Sequence, residues 1–235
     1  TLGADTWFLL GDRDLATHLH RTLALAEGRA LSAVIADICA RLGVQSRVLP
    51  MCDQPVRTLI TTPTGRKSFQ EYLVRDGARE QISHITLEGV EHATPPPGLL
   101  DVVTQAQTLV IAPSSPVVSI GTILQVPGVR EAVAARRDRT IAVSPIVGSR
   151  PVEGPADRFL AGVGEQECSP VVMARLYRDV ASVFMIHHTE SPETIAAIVV
   201  EPIPWTTAIV PPPEYLPQLR SLADRLDVPL IVDEV

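Results

Sequence analysis

The stretch LVIAPSSPVVSIG, Leu109–Gly121, decides the fold class. It begins with four apolar residues, Leu109–Ala112, which predict a short buried strand. The loop Pro113–Pro116 follows, and we expect a helix further on, over Val129–Arg136. A short buried strand that ends in a loop of small residues and leads into a helix is typical of a parallel α/β sheet.

The same order of elements recurs downstream. We expect a second buried strand at Thr140–Val143, the loop Ser144–Ser149, and a helix over Gly154–Leu160. A further helix over Ser169–Ala181 leads to a last strand at Val183–Ile186. Strands that alternate with helices predict an α/β fold, with a Rossmann-like, mostly parallel sheet and helices on both faces.

The first ninety residues predict a different mixture of elements. Asp14–Glu27 has a helical apolar stripe, and Ser32 is a candidate N-cap for a second helix that ends at Gly43. Ser46–Leu49 indicates a short strand. The β-rich runs Val56–Thr62 and Ser68–Arg75 predict a hairpin around Pro63-Thr64-Gly65, and Ile82–Leu87 predicts another strand.

Composition narrows the class of protein. The chain has 235 residues, is 46% hydrophobic and 20% charged, and carries a formal net charge of −7, which argues against nucleic-acid binding. No apolar run approaches the roughly 20 residues of a membrane span, and we expect no signal peptide, because the first residues lack a basic stretch before an apolar run. The three cysteines lack the spacing of a metal site, so we expect reduced thiols. We therefore expect a soluble cytoplasmic protein without a nucleic-acid or membrane partner.

Two features of the charged residues are unusual. Lys67 is the single lysine among the 20 basic residues, so any Schiff-base chemistry would have to use it. The segment 188–235 holds 8 acidic residues against 2 arginines, and 8 of the 21 prolines. Such a shift in charge and proline content predicts a boundary near His187–Pro192, and hence one unit over 1–187 and another over 188–235.

Ligands of parallel α/β sheets bind beyond the carboxyl ends of the strands. Here those ends are the loops Pro113–Pro116 and Ser144–Ser149, whose serine hydroxyls and backbone N–H groups suit phosphate. Ordinary connecting turns are the alternative. The chain has no Walker A loop, no complete dinucleotide-binding glycine motif and no nucleophile elbow, and its six histidines lack zinc-ligand spacing.

A second candidate site lies at the start of the first helix. Asp12 and Asp14 flank Arg13, and the helical spacing places His18 and Arg21 on the same face as Asp14. This group is interpreted either as helix capping with a solvated charged face or as a contact for an anion or nucleotide.

Several segments, taken in order, carry a family resemblance: Asp5–His18, Leu49–Thr58, Phe69–Tyr72, Ala112–Gly121, Val143–Gly148 and Gly154–Asp157. They resemble motifs of the 2-phospho-L-lactate transferase family of coenzyme F420 biosynthesis. The resemblance implies that a lactyl or enolpyruvyl phosphate carried on GDP is transferred to the deazaflavin FO, that GMP is released, and that Mg²⁺ offsets the developing charge.

The resemblance also implies site residues. The GDP part is expected at Ser114, Ser115, Pro116, Ser119, Gly121, Ser144 and Gly148. FO is expected near Trp7, Asp12, Arg13, Asp14 and His18, with the indole as a stacking face. The family's metal ligands and glycine-rich strand are expected before Thr1, so the chain is interpreted as truncated and no metal ligand is assigned in it. A homodimer is implied.

This sequence departs from the family pattern at Ser115, where asparagine is usual, and at Thr122, where proline is usual. These two departures are mild, and two other functions stay open. One is a nucleotide-binding, non-catalytic regulator of the same superfamily. The other is a chimeric fragment without activity.

The tail resembles another family. Glu193–Ile203, Val210–Leu216 and Leu230–Val235 are similar to segments of class III PLP-dependent aminotransferases, in which the residue matching Asp233 pairs with the pyridinium nitrogen. The PLP lysine of that family would lie after Val235, so PLP is not expected to bind covalently. The resemblance implies that 188–235 is an aminotransferase-like fragment, appended as a short βα segment.

Overall fold

The computed structural model describes residues 7–147, 150–151, 154–165 and 167–186, together with the backbone of two strands in the tail. The elements in chain order are α1 (Asp12–Ala26), α2 (Leu31–Arg41), β1 (Arg57–Thr62), β2 (Gly65–Ser68), β3 (His84–Glu88), α3 (Leu99–Gln105), β4 (Leu109–Ile111), α4 (Ile120–Leu124), α5 (Val129–Ala134), β5 (Thr140–Val143), β6 (Ile146–Val147), β7 (Arg150–Pro151), α6 (Ala156–Ala161), α7 (Pro170–Tyr177), β8 (Val183–Met185), β9 (Ile198–Val200) and β10 (Leu230–Val232).

A parallel sheet of β4, β5 and β8, in that order, forms the centre of the α/β fold. Val110 pairs with Ile141, and Ala142 pairs with Phe184. The sheet face that carries the paired residues Ile111 and Ala142 is buried in the core with the helices, whereas Val110 on β4 is 64% exposed. The predicted fold class is confirmed.

A second, antiparallel sheet has the order β2-β1-β3. Its hairpin turns at Pro63-Thr64, as predicted, and Thr62 pairs with Gly65, whose φ of 129° suits glycine. The predicted strand over Ser68–Arg75 is wrong beyond Ser68, because Glu71–Arg75 forms a π-helical turn. The Glu71 carboxylate accepts a hydrogen bond from the Ser68 N–H (2.8 Å), which bends the chain out of the sheet.

The two N-terminal helices form as predicted, and Asp37 of α2 pairs with His20 of α1 (3.0 Å). Two details differ from the predictions. Ser32 does not cap α2, because its N–H and hydroxyl both donate to Asp53 from inside the first turn. Ser46–Leu49 forms no strand.

Two hydrophobic cores lie on either side of α6. The larger core joins the parallel sheet to α4, α5, α6 and α7, and includes Leu160. The smaller core joins the antiparallel sheet to the π-helical turn through Ile60, Tyr72 and Phe159. Because Phe159 and Leu160 are neighbours on α6, this helix ties the two cores together.

The tail is described only at β9 and β10, which pair in parallel with Leu230 opposite Ile198. Most of the aminotransferase-like segments, including Asp233, lie outside the described residues. Cys39, Cys52 and Cys168 are free thiols. Within the described residues, no helix is long and apolar enough to cross a membrane.

Candidate functional site

A cavity of about 590 Å³ opens at the carboxyl ends of β4 and β5. Because these strands are parallel neighbours, the loops that follow them meet at one edge of the sheet. The residues lining the cavity are Phe69, Leu73, Pro113, Ser114, Ser115, Val118, Ser119, Val143, Ser144, Pro145, Gly154, Pro155, Ala156 and Phe159. The structure thus brings together four of the serines singled out by the sequence.

The four serines are not equivalent. The Ser115 hydroxyl accepts hydrogen bonds from the N–H groups of Val117 (3.3 Å) and Val118 (3.2 Å), and so shapes its own loop. The Ser144 hydroxyl donates to the Ile146 carbonyl (2.9 Å) and is buried. Within the described part of the chain, the hydroxyls of Ser114 and Ser119 make no hydrogen bond, so they are available to a ligand.

Pro116 and Gly121 set the path of the loop and do not line the cavity. A Cβ atom on Gly121 would lie 2.3 Å from the Pro116 carbonyl oxygen, far inside van der Waals contact. The Ser115 carbonyl accepts the N–H of Ile120 (2.9 Å), which closes the turn into α4. Glycine at 121 is therefore required by the close approach of two backbones. Gly148, the remaining predicted residue of this group, lies outside the described residues.

The other side of the cavity is apolar. The Phe69 and Phe159 rings stack with centroids 5.7 Å apart and an interplanar angle of 27°, and Leu73 and Val118 extend this surface. In the sequence, Phe69 and Val118 stand out only as members of the family segments Phe69–Tyr72 and Ala112–Gly121. Leu73 and Phe159 were not predicted as site residues, and Phe159 meets Phe69 only through the packing of α6.

The residues predicted to contact FO do not line this cavity. The Trp7 ring lies 5.9 Å from the Arg75 guanidinium, and Arg75 belongs to the same π-helical turn as Leu73. Asp12, Arg13, Asp14 and His18 are exposed at the start of α1, and none of them lines the cavity. The Asp12 carboxylate accepts the N–H of Arg13 (2.9 Å), and His18 contacts Arg21 (2.7 Å). A ligand role for these residues stays a prediction.

Comparison with known proteins identifies the family of the chain. The model of the family described as 2-phospho-L-lactate transferase CofD matches residues 5–200. The chain belongs to this family. The match extends beyond the boundary predicted near residue 187, and that boundary stays a prediction.

Two relatives in this family cover most of the chain. A phosphoenolpyruvate transferase from Streptomyces griseus is 47% identical over 175 residues, which are 73% of this chain and 55% of that protein. A 2-phospho-L-lactate transferase from Methanosarcina mazei is 32% identical over 195 residues, 83% of this chain and 63% of that protein. The chain thus spans 55% and 63% of the lengths of these two relatives.

A solved structure shares the fold. A protein of the UPF0052 family from Bacillus halodurans aligns with a TM-score of 0.54 at 16% sequence identity. The alignment covers 94% of this chain and 65% of that one. At this identity the likeness concerns the fold alone.

The family resemblance implied Mg²⁺, and the described residues can be tested for its ligands. They contain no cluster of three or more His, Cys, Asp or Glu side chains that could hold a metal ion. The described lining of the cavity also contains no charged side chain. Mg²⁺ requires hard oxygen ligands, and the described residues do not fit this ion.

An ion-pair cluster joins β2 to the segment that follows the π-helical turn. The Lys67 ammonium donates to Asp76 (2.6 Å) and to Glu80, and only 13% of the lysine side chain is exposed. The Thr64 hydroxyl also donates to Glu80 (2.6 Å). The hydrogen bond from Lys67 is the main cause that lowers the pKa of Glu80 to about 2, and it lowers the pKa of Asp76 as well. The partners in turn raise the pKa of Lys67, so its amine is held protonated.

This cluster makes stability depend on pH in the acid range. The pKa of Glu80 is about 2 in the folded protein against 4.5 ordinarily. Its contribution is therefore complete above about pH 4.5 and is lost as the pH falls towards 2. We expect the urea midpoint of unfolding to fall between pH 5 and pH 3, and to fall less steeply in Glu80→Gln, which cannot ionise. Equal slopes in the two proteins would contradict this assignment.

Proposed function

We propose that the protein is a transferase of coenzyme F420 biosynthesis. It moves a phospholactyl or phosphoenolpyruvyl group from its GDP-activated form to FO and releases GMP. The observation that carries the proposal is the two-sided cavity at the ends of β4 and β5, in which serine hydroxyls face a stacked aromatic pair. Membership of the family supports it, as do the relatives named as transferases of these two groups.

The serine side of the cavity suits the diphosphate of the donor. Open α/β sheets bind ligands beyond the carboxyl ends of their parallel strands, and hydroxyl groups placed there can donate hydrogen bonds to phosphate. Ser114 and Ser119 have hydroxyls available for this contact, whereas Ser115 and Ser144 hold the loops in place. Because no charged side chain is among the described lining residues, the phosphate charge must be balanced by groups beyond them.

The apolar side suits a flat ring. A heterocycle placed against Phe69 and Leu73 would gain both buried apolar area and stacking energy, and FO combines such a ring with a hydroxylated chain. A ribityl oxygen would then form the new bond to phosphorus while the bond to GMP breaks and the hydroxyl loses its proton. No described residue of the cavity is assigned as the base.

Calorimetric titration with GDP and with FO tests the proposal. We expect both to bind and, with the activated donor present, FO to be converted with release of GMP. Binding of GDP without binding of FO would favour a non-catalytic nucleotide-binding regulator. Binding of neither ligand would favour a fragment without activity.

Two serine variants separate contact from positioning. We expect Ser119→Ala to weaken GDP binding about five- to tenfold, the value of one lost hydrogen bond, without a change in the urea midpoint. Ser115→Ala should lower the free energy of unfolding by about 1 kcal/mol, because the two N–H groups of its loop lose their acceptor. Ser46→Ala, on the exposed surface, is the control for both measurements. A loss of stability in Ser119→Ala would contradict its assignment as a ligand contact.

A further inference from the structure

The apolar side of the cavity is built on an unusual piece of backbone. Phe69 lies two residues before the π-helical turn Glu71–Arg75, and Leu73 lies within it. Isolated π-helical turns are rare, and they occur frequently at functional sites. The exact path of this turn therefore decides where Phe69 and Leu73 stand relative to the serine loop.

The chain reverses immediately after this turn. Gly77 and Ala78 adopt φ values of 63° and 52°, a left-handed conformation that a buried alanine rarely takes. The Ala78 N–H donates to the Tyr72 carbonyl (2.9 Å), and the Tyr72 hydroxyl donates to the Glu80 carbonyl (2.9 Å). The turn and the segment that follows it thus lie side by side.

Lys67 joins both ends of this reversal to the hairpin. Its ammonium donates to Asp76, the residue directly after the turn, and to Glu80, beyond the reversal. Arg75 continues the cluster with hydrogen bonds to Asp76 (3.0 Å) and Glu71 (2.8 Å). Without the Lys67 ammonium, no lysine would hold the carboxylates of Asp76 and Glu80 to β2. Repulsion between the two carboxylates would then favour separation of the turn from the segment around Glu80.

We propose that Lys67 is a positioning residue for the ring of the substrate. Through Asp76 and Glu80 it fixes the π-helical turn, and thereby sets the width of the cavity between Phe69 and Leu73 on one side and the loop Pro113–Pro116 on the other. Lys67 itself lines no part of the cavity. The identity of the ring as that of FO rests on the proposed function, whereas the fixing of the turn does not.

Three variants of the full chain test this role. Lys67→Met removes the charge at similar length, Lys67→Arg restores a cation, and Asp76→Asn weakens one of the two links if the methionine variant does not fold. Arg66→Met is the matched control, because Arg66 lies beside Lys67 on β2 but is exposed, and its side chain has one ion pair within the described residues, with Glu88 (3.6 Å).

Hydrogen exchange without ligand is the first readout. We expect amides of residues 69–80 to exchange at least about tenfold faster in Lys67→Met, with α7 unchanged, because loss of a local tie opens a local unit. Lys67→Arg and Arg66→Met should exchange as the parent protein does. Unchanged exchange in 69–80, or equally faster exchange throughout the chain, would overturn the proposal.

Ligand binding is the second readout. We expect Lys67→Met to lose about tenfold in FO affinity while GDP affinity stays within about twofold, since only the ring side of the cavity moves. Equal losses for both ligands would assign Lys67 to general stability and overturn its positioning role. If the parent protein bound no FO, the proposed function would fail, and the exchange data would still decide whether Lys67 fixes the turn.

Discussion

Phe159→Ala is expected to lower the free energy of unfolding by about 3–5 kcal/mol, the range for removing a buried phenyl ring. Phe159 is 3% exposed, and its ring stacks on Phe69 and contacts Tyr72 in the smaller core. The cavity left by the substitution cannot close easily, because α6 is held on its other face by Leu160 in the larger core. Urea unfolding followed by circular dichroism at 222 nm measures the change.

A matched control separates the effect of removing a buried ring from the effect of removing any aromatic ring. Phe8 is 43% exposed and contacts Trp7 edge-on, so Phe8→Ala should cost less than about 1 kcal/mol. Phe159→Leu, which keeps apolar volume but not the stacked ring, should fall between the two. A cost below about 1 kcal/mol for Phe159→Ala would show that the smaller core does not depend on this ring.

Gly121→Ala is expected to destabilise the protein by about 2–3 kcal/mol, near the upper end for overpacked sites. In an ordinary helix the same change would stabilise by roughly 0.5–1 kcal/mol. Here the sign is reversed, because the new Cβ would lie 2.3 Å from the Pro116 carbonyl oxygen and a backbone must move. The displaced loop carries Ser114 and Ser115, so GDP affinity should fall in the same variant. Chemical denaturation and calorimetry give the two values.

The neighbouring residue supplies the control for this position. The Thr122 hydroxyl is buried and has no hydrogen-bond partner within the described residues. Thr122→Val removes that unpaired group at constant shape, so stability should be unchanged or up to about 1 kcal/mol higher. A stabilising Gly121→Ala, or a strongly destabilising Thr122→Val, would be inconsistent with the packing at the start of α4.

The parallel sheet was predictable because local signals agree there. The strands at Leu109–Ile111 and Thr140–Val143 are short apolar runs, each preceded by polar residues and followed by proline and serine, and helices separate them. The serine side of the cavity followed directly, since the carboxyl ends of neighbouring parallel strands meet. The hydrogen bonds of the individual serines could not be predicted. Whether a hydroxyl bonds within its own loop or stays available to a ligand depends on distances within the turn.

The aromatic side of the cavity could not be predicted in the same way. The run Ser68–Arg75 is rich in β-formers, yet Glu71–Arg75 is helical, with Tyr72 buried and the Ser68 N–H bonded to the Glu71 carboxylate. Phe69 and Phe159 lie ninety residues apart, so their contact depends on how the two sheets pack around α6. The partners of Lys67 come from the chain reversal after Asp76, where Asp76-Gly77 signals a turn but not that its carboxylates return to β2.

The six residues of α6 also decide how the chain can be divided. Phe159 and Leu160 are adjacent, yet each closes a different core. A cut on either side of this helix would leave one sheet with an uncovered apolar face. The antiparallel sheet is therefore not a portable module that could be exchanged between proteins by itself, and gene fusions or circular permutations that respect the fold must keep both sheets together with the helix between them.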